Sequence, residues 1–236
     1  MAASRRVAVG GLAVFSLTMV SPKAGAQDLY ENLRLDMVQF QLRDRGIRQS
    51  ELLNAMATVP RHLFVPQASW QEAYLDQPLA LGDGGGIPEP YLSALMIEHL
   101  ALDGTQRVLE VGTGSGYDAA VLSRLAKEVY TIEISQEVGE AARRRLSELG
   151  YDNVFVKVGD GHEGWEAKAP FDAILLTAAP EDIPPMLIEQ LKMNGRMVVA
   201  VGGKFIQTLT VIHKTRDGLV TDRKEPVRIV PMSVKP

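Results

Sequence analysis

The sequence predicts an α/β protein built on a doubly wound, mostly parallel sheet, with a helical segment before it and an antiparallel edge after it. Three observations carry this expectation. From residue 107 onward short apolar runs alternate with helical patterns, as parallel strands joined by crossover helices do. The first of these runs passes directly into the glycine turn Gly112-Thr113-Gly114-Ser115-Gly116, a strand–turn–helix junction. The last two strand-like runs are separated by turn residues rather than by a strong helix, which suits an antiparallel addition at one edge.

The elements follow in order. Residues 28–59 place Leu33, Met37, Phe40 and Leu42, then Leu52, Leu53 and Met56, at helical spacing, so two short helices are expected, broken by Gly46 and ended by Pro60. Between Pro60 and Pro90 the prolines and glycines recur, which predicts loops and short extended pieces. Pro90 can open a helix at its first turn, with Leu92, Leu95, Met96 and Leu100 as its apolar face. Strands are expected at 107–111, 129–133, 153–160, 171–177 and 196–201, and helices at 117–126, 137–150 and 184–191. The closing runs at 207–215 and 226–232, with Asp217-Gly218 between them, complete the sheet.

The N-terminus reads differently. Arg5 and Arg6 precede the apolar stretch Val7 to Val20, and Ala24-Gly25-Ala26 fits a small-x-small cleavage site before Gln27. Residues 1–26 therefore read as a cleaved signal peptide, exported by the Sec or the twin-arginine route and pointing to the periplasm, rather than as a membrane anchor. What remains is a single domain at 27–236, its helical and loop part at 27–100 and its sheet at 101–236. Without the leader, 22 basic groups face 29 acidic ones, a net charge of −7 instead of −4. That balance speaks against nucleic acid and anionic membrane as partners. With no cysteine in the chain, disulfides, thiolate nucleophiles and thiolate metal sites are excluded, and the four histidines lack ligand spacing.

Chemistry concentrates at the strand ends. The glycine turn lets a ligand approach the backbone, although a tight turn packing helix on strand reads the same way in sequence. Its spacing departs from the dinucleotide fingerprint, because Tyr117 stands where the last glycine would be. Glu133 ends the next strand, where an acid can accept both ribose hydroxyls, and Asp160 ends the third, placed for an adenine amine. Each is equally well a solvated acid or a helix cap. Three such groups at successive strand ends favour a nucleoside. No basic run is present for a pyrophosphate, so a neutral or cationic nucleoside such as S-adenosyl-L-methionine fits best.

At this point the sequence resembles the protein-L-isoaspartate O-methyltransferases. The resemblance rests on Val59-Pro60-Arg61-His62-Leu63-Phe64-Val65-Pro66, Tyr74-Leu75-Asp76-Gln77-Pro78-Leu79, the run from Val108 to Leu122, Gly159-Asp160-Gly161 and Pro226-Val227-Arg228-Ile229-Val230-Pro231. It implies a Rossmann-like, class I S-adenosyl-L-methionine-dependent methyltransferase that methylates the free carboxylate of isoaspartyl residues in damaged proteins, working as a monomer. It further implies that Glu110, Gly112, Gly114 and Gly116 line the cofactor, that Glu133 holds its ribose and that Asp160 and Gly161 meet its adenine. Gly86, Ile87, Pro88 and Thr177 then lie on the substrate side.

The sequence departs from the family in the stretch Gly82 to Pro90. Gly86 replaces the usual Thr, and Pro88 stands at the usual Ser, so both hydroxyls are missing and no catalytic side chain is assigned. Asp118 stands where Gln is common. Two other readings share this pattern: a methyltransferase of the same fold with a different substrate, and a protein that keeps the cofactor cleft only as scaffold.

Overall fold

The computed structural model describes residues 22–80 and 86–233. Most of the expected signal peptide and the part of the glycine stretch up to Gly85 lie outside the described residues. Helix α1 (Pro22–Asp36) runs across the expected cleavage position and continues as a π-helical turn, Met37–Arg43, that buries Met37, Val38 and Leu42. Helix α2 (Ser50–Thr58) buries Leu52, Leu53, Ala55 and Met56 and stops at Val59, whose extended backbone leads into Pro60. Two short 3-10 turns follow at Arg61–Phe64 and Gln67–Ser69. Strand β1 (Leu79–Ala80) then pairs antiparallel with β2 (Gly86–Ile87), and the glycine stretch joins them. Helix α3 (Pro90–Leu100) opens on Pro90, whose missing amide costs nothing there, and ends at Ala101 with φ 50°.

The main sheet has seven strands. They are β3 (Arg107–Val111), β4 (Glu128–Glu133), β5 (Val154–Val158), β6 (Phe171–Leu176), β7 (Leu191–Gly202), β8 (Gln207–Thr215) and β9 (Gly218–Val227). Their order is β5-β4-β3-β6-β7-β8-β9. Pairing is parallel from β5 through to β7 and antiparallel for β7–β8 and β8–β9, as the alternation predicted. Crossovers run through α4 (Tyr117–Leu122), α5 (Gln136–Glu148) and α6 (Pro185–Gln190).

Strand alternation divides the core. Val108, Val129, Ala173, Leu175 and Val198 face α3, α4 and the N-terminal segment, whereas Leu109, Val111, Tyr130, Ile132, Ile174 and Leu176 face α6. No helix among the described residues is long and apolar enough to cross a membrane.

Three elements differ most from expectation: β7 begins at Leu191 rather than at 196, α4 is shorter, and the last strand is shifted. Helix α4 ends at Leu122 instead of 126, because Asn153 reaches over with its amide to the carbonyls of Ser123 and Ala126 at 3.0 and 3.3 Å. The last strand is Gly218–Val227, not 226–232. An edge strand open to solvent carries polar residues, and Thr221 to Glu225 hide it from a hydropathy reading. In the apolar run that follows, Ile229 is buried while Val230 and Pro231 stay exposed, and Pro231 makes a single bridge to Ala179 at the sheet's carboxyl edge.

Candidate active site

The sheet reverses its winding at β3, with β4 on one side and β6 on the other. In open α/β sheets the crevice beyond that point is where ligands bind. A cleft of about 360 Å³ opens there, lined by the glycine turn, Glu133, Gly161, Thr177, the loop Gly86–Glu89 and the C-terminal run Arg228–Ser233.

The glycine turn is shaped by steric exclusion. Gly112 has φ 104°, and a Cβ there would sit 2.4 Å from the Thr177 hydroxyl oxygen. Gly161 is equally tight, since its Cβ would meet Val111 Cγ1 at 2.4 Å. Gly114 faces the substrate loop, its nearest neighbour for a Cβ being the Gly86 carbonyl at 3.4 Å. Gly116, expected at the cofactor, faces away. A Cβ there would meet Leu146 at 3.1 Å, so this glycine lets α5 pack against the start of α4.

Glu133 ends β4 inside the cleft. One carboxylate oxygen accepts from the Gly114 amide at 2.9 Å and the other from the Ser135 amide at 3.1 Å. The acid thereby holds the glycine turn while presenting its remaining lone pairs to the cleft. Asp160 caps the turn Gly161–Glu163, accepting from the His162 amide at 2.9 Å and meeting the His162 ring at 2.8 Å. It is not part of the cleft wall, although Gly161 beside it is.

Glu110 is not at the wall either. It alternates with Val111 and so points to the opposite face of β3, where it is fully buried. Thr131 donates to it at 2.5 Å and in turn is bonded to the Thr113 hydroxyl at 2.7 Å, which ties the glycine turn to β3 and β4. Burial, helped by the nearby Asp118 and Glu133, lifts the Glu110 carboxyl well above the usual carboxylate range against the opposing Thr131 bond. Glu110 therefore positions the turn from behind.

The substrate side shows why hydroxyls are scarce. Pro88 and Gly86 have none. The Thr177 hydroxyl is already committed, lying 2.6 Å from the Gly112 carbonyl and 3.1 Å from that of Val111, so it can only accept from a ligand. Arg61, which sequence reasoning took only as a family marker, holds this loop. It is fully buried, donates to the Ala73 carbonyl at 2.7 Å and to the Pro88 carbonyl at 2.5 Å, and stacks over Tyr117 at 4.6 Å. Asp118 also reaches the cleft; burial raises its carboxyl despite the opposing field of Arg61, and its Oδ1 has no partner among the described residues. The C-terminal run is the other feature the sequence did not announce. Ala179 holds it from both sides, donating to the Val230 carbonyl and accepting from the Met232 amide, each at 2.8 Å.

The residues fit a cationic nucleoside. Three carboxyl groups (Glu89, Asp118 and Glu133) line the cleft beside a glycine cradle that a Cβ would fill, and a single cation, Arg228, joins them among the described residues. No cluster of three or more potential metal ligands occurs among the described residues.

A model of the family "Protein-L-isoaspartate(D-aspartate) O-methyltransferase (PCMT)" matches residues 34–235. The chain is 47% identical over 210 residues to protein-L-isoaspartate O-methyltransferase 2 of Shewanella sediminis, covering 89% of this chain and 86% of that one. It is 52% identical over 184 residues to a protein of the same name from a Polaromonas species, covering 77% and 87%. A solved protein-L-isoaspartate O-methyltransferase superposes with a TM-score of 0.76 at 30% identity, over 87% of this chain and 66% of that longer one. A Plasmodium falciparum chain in complex with S-adenosyl-L-homocysteine shares the fold, with a TM-score of 0.73 at 23% identity over 85% of this chain and 98% of that one.

Proposed function

Because the chain belongs to the protein-L-isoaspartate O-methyltransferase family, we propose that the cleft at the β3/β6 switch point is where it carries out that family's reaction. The protein is a methyltransferase that uses S-adenosyl-L-methionine and methylates the free carboxylate of L-isoaspartyl residues in damaged proteins. The observation that carries the assignment to this cleft is the pairing of Glu133 with the glycine turn, Oε2 to the Gly114 amide at 2.9 Å.

When bound, S-adenosyl-L-methionine supplies a methyl group activated by a sulfonium. Glu133 receives the ribose, the backbone at Gly112, Gly114 and Gly161 permits close approach, and Asp160 stands at the adenine end. The carboxyl groups of Glu89 and Asp118 favour the positive sulfonium. The substrate carboxylate is ionised at neutral pH and needs no base, so the protein's part is alignment and exclusion of water. Gly86, Ile87 and Pro88, held by Arg61, form the wall against which the isoaspartyl chain is laid. The methyl ester is a better acyl electrophile than the carboxylate, so the following backbone amide nitrogen attacks it, methanol leaves, and hydrolysis of the succinimide can open it to ordinary aspartate.

The missing loop hydroxyls favour a second reading, in which the same cofactor chemistry serves another acceptor. One experiment separates them: methyl transfer to an isoaspartyl peptide and to its normal aspartyl twin, with calorimetric binding of S-adenosyl-L-methionine measured in parallel. Transfer to the isoaspartyl peptide alone supports the first. Cofactor binding without transfer to either peptide would favour the second, and no cofactor binding at millimolar concentration would refute both. The N-terminal pattern supports export to the periplasm by the Sec or the twin-arginine route, and the acidic mature surface supports a monomer that does not bind nucleic acid. Cell fractionation and light scattering test these two points.

A further inference from the structure

Resting on the isoaspartyl reading, we propose that Arg228, which lies in one of the segments the chain shares with its family, is the residue that grips the substrate carboxylate. The need for such a group follows from the cleft itself. The nucleophile is an anion, yet Glu89, Asp118 and Glu133 line the space it must enter. Pro88 and Gly86 have no side-chain donor, and the Thr177 hydroxyl lies against the Gly112 and Val111 carbonyls at 2.6 and 3.1 Å. Of the other hydroxyls at the wall, Thr113 is bonded to Thr131 at 2.7 Å, and Ser115 and Ser135, which accept from the Tyr117 and Val138 amides at 3.2 and 3.4 Å, sit with it on the cofactor side. Ser233 stands at the wall on the C-terminal run with Arg228, but a neutral hydroxyl does not offset the three carboxyl groups.

Arg228 meets the need. It is the one cation lining the cleft among the described residues, it is exposed, and it forms no hydrogen bond or ion pair with any of them. Its backbone is nevertheless fixed. The next residue, Ile229, is buried and donates its amide to the Gln207 side chain at 3.0 Å, and Val230 is bonded to Ala179 at 2.8 Å, two residues from Thr177. A guanidinium on a fixed stem beside the reacting end can take a carboxylate in bidentate fashion. It grips one oxygen pair and leaves a lone pair directed at the methyl group. Selectivity follows: a side-chain amide in place of the carboxylate has no charge to offer.

The test is steady-state methylation of an isoaspartyl peptide by the wild-type protein, Arg228→Gln and Arg228→Lys, with calorimetric binding of S-adenosyl-L-methionine for each. Arg228→Gln should raise the peptide KM at least about tenfold, the loss of one charge-assisted pair, with cofactor affinity and melting temperature unchanged. Arg228→Lys should recover part of that loss, since it keeps charge without the fork. A peptide KM within about twofold of wild type in Arg228→Gln would overturn this inference while leaving the isoaspartyl activity intact. A wild-type protein that binds the cofactor but leaves the isoaspartyl peptide unmethylated would overturn the underlying reading, and this inference with it.

Discussion

Replacing Gly112 by alanine probes the tightest point of the cofactor turn, and the structure says why it should fail in two separable ways. At φ 104° the backbone is one that side chains rarely adopt, and the added Cβ would lie 2.4 Å from Thr177 Oγ1. The dihedral strain costs about 1–3 kcal/mol, and the overlap adds roughly 1–3 kcal/mol. For a domain of this size each kcal/mol lowers the melting temperature by roughly 2–4 °C, so Gly112→Ala should melt about 10 °C early. The overlap can be removed by itself. Once Thr177 loses its hydroxyl, the nearest atoms to that Cβ are at 3.6 and 3.7 Å, an ordinary contact. Thr177→Ala alone should cost only about 1 kcal/mol, the net worth of its hydrogen bonding. The double variant should therefore melt above Gly112→Ala, with a favourable coupling of about 1–3 kcal/mol. Calorimetric affinity for S-adenosyl-L-methionine should recover in the same order. As a control, Gly203→Ala meets nothing within 4 Å and should be neutral. Strictly additive losses in the double variant would refute the steric argument.

Other variants test the remaining parts of the site. Glu133→Gln weakens two amide-to-carboxylate bonds and the contact expected with the ribose, so cofactor affinity should fall by roughly 10- to 100-fold, read by calorimetry. For Glu110 the sign is set by its raised pKa: above the ordinary value of 4.5 the unfolded chain releases a proton that the folded protein keeps, so stability is lost as pH rises. Glu110→Gln removes that loss, and its advantage over wild type in urea unfolding should grow as pH rises above the ordinary value of 4.5, by at most about 1.4 kcal/mol per pH unit. A constant difference across that range would contradict a protonated Glu110. Restoring the loop hydroxyls with Pro88→Ser and Gly86→Thr should raise kcat on isoaspartyl peptide; an equal rate would show that backbone and Arg228 suffice.

Much of this architecture was legible along the chain because it is local. Alternating apolar runs and helical spacing announced the parallel strands and crossovers, Pro90 announced the start of α3, and the antiparallel β7–β8–β9 edge was expected. What escaped was decided by partners distant in sequence. The short α4 depends on Asn153, some thirty residues away, and the final strand hid its polarity at an open edge. The candidate site divides in the same manner. Gly112, Gly114, Glu133 and Gly161 line the cleft, whereas Glu110, Gly116 and Asp160 are not among its lining residues.

The sequence by itself determined the sheet, the glycine turn and the absence of hydroxyls at Gly86 and Pro88, since each is a matter of residue type and near neighbours. Only the tertiary structure decided which atoms meet. It turned Glu110 away because side chains alternate along β3, and committed the Thr177 hydroxyl to the carbonyls of another strand's end. It also drew Arg61 beneath the substrate loop and Arg228 over the cleft, from 27 residues before Pro88 in one case and from the far end of the chain in the other. Closing such long loops is a property of the whole packed chain, and no window of sequence contains it.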